Sequence, residues 1–177
     1  MPTSEQMETG KEEGILRTAL RLEPARSDEE RFSRADLIFT GVDHSSVSYE
    51  VRVFLNNPDA DESTPRNEEA GYGGRFVMFG HGGCYGDAGH CEVPADPRRA
   101  AHDLRPEHSL VGQTRIVTIT RALQRVLDAS EDGLESVTLV PISKEPQKEA
   151  RGLSADLFQF ATMELRTLAH ATASELG

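Results

Sequence analysis

At 177 residues the chain is long enough for one domain with a sizeable core. Its formal net charge of −11, from 30 acidic and 19 basic side chains, argues against nucleic acid and anionic membranes as partners. No apolar run approaches the ~18 residues of a membrane-spanning helix. The opening Met1-Pro2-Thr3-Ser4-Glu5 has no basic region followed by a hydrophobic one, so a cytoplasmic location with reduced thiols is the expectation.

Residues 1–14 are acidic and patternless and read as a disordered lead-in. Residues 15–22 alternate, with Ile15, Arg17, Ala19 and Arg21 on one side and Leu16, Thr18, Leu20 and Leu22 on the other. That is the period of a half-buried strand. A charged loop is expected over 23–34, then a second strand over 35–42. Residues 48–55 give the cleanest alternation: Tyr49, Val51, Val53 and Leu55 share one face, and Glu50 and Arg52 the other. Asn56-Asn57-Pro58-Asp59 ends it with a strong turn signal, and a long acidic loop follows to residue 70.

A short strand over 75–79 leads into a glycine-rich segment. Pro94, Pro97 and Pro106 exclude continuous regular structure over 94–109. Residues 114–120 alternate as a strand and turn helical over 120–127. A last strand is expected over 137–142, then a charged linker to 153. Ser154 as N-cap, Asp156 in the first turn, and Leu157, Phe160, Ala161, Glu164, Leu168 and Ala171 at helical spacing predict a C-terminal helix over 154–174. The whole reads as mainly all-β: an antiparallel β-sandwich or barrel of about 6–8 strands over 15–143, with one short internal helix.

The richest chemistry lies between residues 81 and 91. His81, Cys84, His90 and Cys91 bring both cysteines and two of six histidines into eleven positions, among glycines that permit tight folding. Two thiols and two imidazoles are a plausible ligand set for Zn²⁺ or Cu(I). Adjacent His90 and Cys91 can share one ion only if the loop bends sharply. A ligand-free structural turn and a disulfide therefore stand beside the metal reading.

Asp43-His44-Ser45-Ser46 holds the elements of an acid–base set, yet adjacent residues cannot build a hydrolase triad locally. A turn held by side-chain hydrogen bonds is the simpler reading. His102 and His108 flank a proline-containing charged loop. The acidic loop at 57–62 lacks the twelve-residue calcium pattern. Gly71-Tyr72-Gly73-Gly74 precedes a strand, so it offers no helix N-terminus to a phosphate.

Five segments stand in a set order: Leu37-Ile38-Phe39-Thr40-Gly41-Val42, Tyr49-Glu50-Val51-Arg52-Val53-Phe54-Leu55-Asn56, Gly74-Arg75-Phe76-Val77-Met78-Phe79-Gly80, Ile119-Thr120-Arg121-Ala122-Leu123 and Val137-Thr138-Leu139-Val140-Pro141. The segment from Gly71 to Cys91 is most similar to bacterial tyrosinase-like proteins. On these segments the chain from about 16 to 142 bears a resemblance to the β-rich C-terminal domain that accompanies the copper domain of tyrosinases, hemocyanins and plant polyphenol oxidases. The resemblance implies a sandwich fold and a place over the copper-site entrance of a tyrosinase-type oxidase domain or subunit, gating or helping to mature it. In that family, oxidase chemistry belongs to a helical domain with two copper ions, each held by three histidines. Here the histidines stand at 44, 81, 90, 102, 108 and 170, and no two are three or four residues apart. The expectation is thus a non-catalytic accessory domain, not an enzyme on its own. A Cu(I) or Zn²⁺ module built on the 81–91 loop is the alternative.

Overall fold

The computed structural model describes residues 9–12, 15–23, 32–44, 47–80, 112–144 and 157–169. In chain order they form β1 (Thr9–Glu12), β2 (Ile15–Leu22), β3 (Phe32–Val42), β4 (Tyr49–Leu55), β5 (Tyr72–Met78), β6 (Gln113–Thr118), α1 (Thr120–Ala129), β7 (Leu134–Ser143) and β8 (Thr162–Ala169). Two antiparallel sheets result. One has the order β1-β2-β7-β4-β5 and the other β6-β3-β8. Apart from the four-residue edge strand β1, the sandwich is seven strands in sheets of four and three.

Alternation sets the packing. Tyr49, Val51, Val53 and Leu55 point from β4 into the space between the sheets and are fully buried. Leu37 and Phe39 of β3 meet them, joined by Phe76, Met78, Leu123, Val137 and Leu139. Phe39, Phe76 and Phe158 form a ring cluster, with centroids 5.4 to 6.0 Å apart. Burial of each such side chain stabilises the fold by about 1.5–3 kcal/mol.

The α1 segment, TRALQRVLDA, contains neither glycine nor proline and is rich in good helix formers. Ala122 and Leu123 turn its apolar stripe onto the core. It is tied to β3 at its start, where the Ile119 amide donates to Ala35 O and Thr120 Oγ1 accepts from the Ala35 amide.

The sequence-predicted C-terminal helix over 154–174 is overturned across its described part. Residues 162–169 are strand β8, paired along β3 from Thr40↔Thr162 to Phe32↔Ala169. The true period is two: Met163 and Leu165 face the core, while Glu164 and Arg166 face out. Phe158 and Phe160, just before β8, enter the ring cluster. The helical spacing was a coincidence of residues that belong to strand β8 and to the non-helical segment before it. Residues 9–12, expected within a disordered lead-in, add β1 to the edge of β2. The expected 23–34 loop ends at Phe32, whose buried side chain starts β3.

The loop from residue 56 to 71 folds back over the outer face of the larger sheet. There Ala60 buries against Phe54 and Val140, with Ile15, Ala70, Tyr72 and Ile142 around them. Asn56, at φ 50°, turns the chain. Its side chain donates to Gly133 O and accepts from the amides of Glu135 and Ser136. Gly71 closes the loop at φ 75°, where a Cβ would stand 2.3 Å from Leu55 O. Only glycine fits that approach.

Candidate functional site

His81, Cys84, His90 and Cys91, the candidate metal ligands, lie outside the described residues, as do His102, His108 and His170. Among the described residues no group of three or more His, Cys, Asp or Glu side chains could hold a metal ion. The point from which the 81–91 segment departs is defined. The Gly80 amide donates to Ser48 Oγ at 3.2 Å, and the Lys144 amide donates to Ser48 O at 2.9 Å. One end of β4 thus gathers the end of β5 and the end of β7. Phe79 projects there with 78% of its surface exposed.

Asp43 and His44 sit at the same end. The Asp43 amide donates to Gln159 O, and its carbonyl accepts from the Tyr49 hydroxyl at 2.6 Å. Burial pushes the Tyr49 phenol above its ordinary pKa, with the Asp43 charge adding to the effect. His44 is buried. These contacts tie the backbone of Asp43 to its neighbours; Ser45 and Ser46, the rest of the expected turn, lie outside the described residues.

The strongest electrostatic feature is Glu50. Sequence alternation puts it with Arg52 on the polar face of β4, which would ordinarily face water. Its side chain is instead fully buried. Arg52 Nε donates to Oε1 at 2.9 Å and Arg75 Nη1 to Oε2 at 2.9 Å. Lys144 Nζ reaches Oε2 at 2.5 Å, and Arg66 Nη1 lies 3.7 Å from Oε1. Burial alone would raise the Glu50 pKa. The hydrogen bonds from Lys144, Arg52 and Arg75, with the Lys144 charge, overcome it and hold the carboxyl at about 2. Arg52 and Arg75 are direct cross-strand neighbours in the β4–β5 register, so pairing itself assembles this cage. The loop contributes by accepting Arg52 Nη1 at Glu62 O, 2.8 Å away.

Sequence reasoning missed this cluster. Glu50, Arg52 and Arg75 carry the right chemistry, but their convergence depends on register, and Arg66 and Lys144 arrive from a loop and a strand end. The loop's fold-back was the missing signal. Its acidic 57–62 stretch is occupied internally: Asp61 Oδ1 accepts from the Ser63 amide, Ser63 Oγ and Thr64 Oγ1. This turn engages the carboxylate without any cation.

An open groove of about 600 Å³ lies beside the start of α1, lined by Ser33, Arg34, Tyr72, Thr118, Arg121 and Arg125 among others. Two of its cations are engaged: Arg34 with Asp36 at 2.7 Å and Arg125 with Glu68 at 3.0 Å. Asp36 accepts from Arg34 on one oxygen and from Thr118 on the other. Burial opposes its ionisation, but those hydrogen bonds and the Arg34 charge hold its pKa below the ordinary value. With both oxygens engaged it is poorly placed to act as a general base.

No protein-family model matches the sequence, and no curated protein matches it. Solved structures do match the fold. One is a recombinantly expressed latent aurone synthase, a polyphenol oxidase, with a TM-score of 0.50 and 13% identity over 93% of this chain and 26% of that one. Another is the latent aurone synthase from its natural source, with a TM-score of 0.51 and 16% identity over 89% of this chain and 25% of that one. The chain therefore spans about a quarter of the length of the solved chains it matches. At these identities the likeness is one of fold: a β-sandwich resembling part of a polyphenol oxidase.

Proposed function

We propose that this chain is the non-catalytic accessory unit of a tyrosinase-type copper oxidase system, docking on a helical copper domain or subunit and covering or helping to mature its copper site. The observation that carries the reading is a division of parts. The chain has the sandwich found in a quarter-length portion of a polyphenol oxidase. Yet its six histidines include no pair three or four residues apart, the spacing that puts two imidazoles on one helix face.

The end of the sandwich carrying Phe79 is the proposed contact surface. An exposed aromatic at the rim of a rigid sheet is the kind of anchor that interfaces bury. It stands two residues before His81 in the sequence.

The test is catechol oxidation by the purified chain, alone and with added copper. The reading expects no turnover above that of free copper. Saturable oxidation by the chain alone would overturn it, because the chain would then carry its own oxidase centre.

A further inference from the structure

The cage around Glu50 holds more positive charge than its carboxylate needs. Arg52 and Arg75 already place one donor on each oxygen, and two charge-assisted hydrogen bonds satisfy much of a buried carboxylate's demand. Lys144 and Arg66 add two further cations. Within the cluster, four positive charges face one negative, a local surplus of three. The side chains of Arg66, Arg75 and Lys144 are 48%, 48% and 42% exposed, and among the described residues Glu50 is their only ion-pair partner. Two acids of the covering loop are committed elsewhere: Glu68 to Arg125, and Asp61 to Ser63 and Thr64. Such crowding of like charge is unfavourable in the isolated chain.

We propose that this patch docks a short acidic segment of a partner protein, one bearing clustered Asp or Glu carboxylates. Charge complementarity identifies the occupant. A chain of net charge −11 repels an extended polyanion, so nucleic acid is disfavoured. A short segment feels chiefly the charges within about 8 Å, the screening length at physiological salt, and in the Glu50 cluster the cations outnumber the carboxylate four to one.

Glu50 makes the patch effective. It fixes Arg52 and Arg75 at 2.9 Å each, so less side-chain freedom remains to be lost on binding. Guanidinium forks held in this way suit carboxylates. The patch also adjoins the Phe79 end, because Ser48, two residues before Glu50, bonds the backbone of both Gly80 and Lys144. A charged rim beside an aromatic anchor is the usual anatomy of a protein interface.

The proposal needs only an acidic partner and does not depend on the oxidase reading. It is tested on the full chain with a fluorescent glutamate-rich peptide flanked by neutral residues, followed by anisotropy at low and high salt. The expected result is saturable binding that weakens with salt. Binding should fall about tenfold in an Arg75→Gln, Lys144→Gln double variant, as expected for the loss of two partly exposed charges. The milder Arg66→Gln variant should lose a few-fold and keeps the answer available if the double variant misfolds. Arg121→Gln and Arg121→Ala, each removing a cation of α1, serve as off-patch controls and should bind as the wild type does.

Three results would overturn the proposal: no binding; equal losses in the α1 controls, which would mean non-specific attraction; or displacement of the peptide by equimolar inorganic phosphate, which would mean a small-anion site.

Discussion

The two faces of β4 teach different lessons. One face, Tyr49, Val51, Val53 and Leu55, packs against the second sheet and is stabilised by ordinary apolar burial. The other, Glu50, Arg52 and Phe54, is covered by the chain's own loop and holds a small apolar cluster beside an ion cage. The first is legible as hydrophobic alternation. The second has the same period, but its polar half is also buried, so alternation reports which residues share a face without reporting whether that face meets water.

Cutting into each face should separate the two modes of stabilisation. The largest loss is expected between the sheets: Phe39→Ala removes the ring touching Phe76, Phe158 and Phe160 and should cost about 3–5 kcal/mol in urea-unfolding free energy. Next comes Glu50→Ala, which leaves four cations facing one another without their carboxylate and should cost about 3 kcal/mol.

The same residue gives a pH signature. Its folded pKa of about 2 lies below the ordinary value of 4.5, so its contribution is present above pH 4.5 and is lost as pH falls towards 2. Wild-type stability should drop by about 3 kcal/mol through that window, and Glu50→Gln should flatten this part of the profile. A Glu50→Gln curve as steep as the wild type would place the acid sensitivity elsewhere.

Smaller still, Gly71→Ala should cost about 2 kcal/mol, because its φ of 75° disfavours a side chain and the new methyl meets Leu55 O. That loss should be accompanied by faster proteolysis between residues 56 and 71, since Gly71 closes this loop. Least of all, Arg166→Gln breaks an exposed pair with Glu164 and should change stability by under about 0.5 kcal/mol. A large effect there would mean that the outer face of the smaller sheet is also covered.

Strand alternation was a sound guide wherever one face is buried and the other wet. It located β2 and the start of α1 to the residue, β4 within one residue and β6 within two. It failed at residues 157–168, where the helical spacing of Leu157, Phe160, Ala161, Glu164 and Leu168 gives way to strand β8, with Met163 and Leu165 towards the core, preceded by Phe158 and Phe160. Backbone pairing with β3 decides that segment, and no local pattern records it. The Glu50 cage was hidden for a related reason. Its members come from positions 50, 52, 66, 75 and 144, and only register and a folded loop bring them together.

The central claim is the proposal that this sandwich serves a helical copper oxidase domain or subunit. Its most direct test is to purify the tagged full chain from its own cells, identify what accompanies it, and measure copper and catechol oxidation in the complex. The account predicts a stoichiometric, histidine-rich helical partner carrying about two copper ions, the number a paired site holds, with the oxidase activity residing in that partner. A chain that purifies without any copper protein, or that carries the activity by itself, would contradict it.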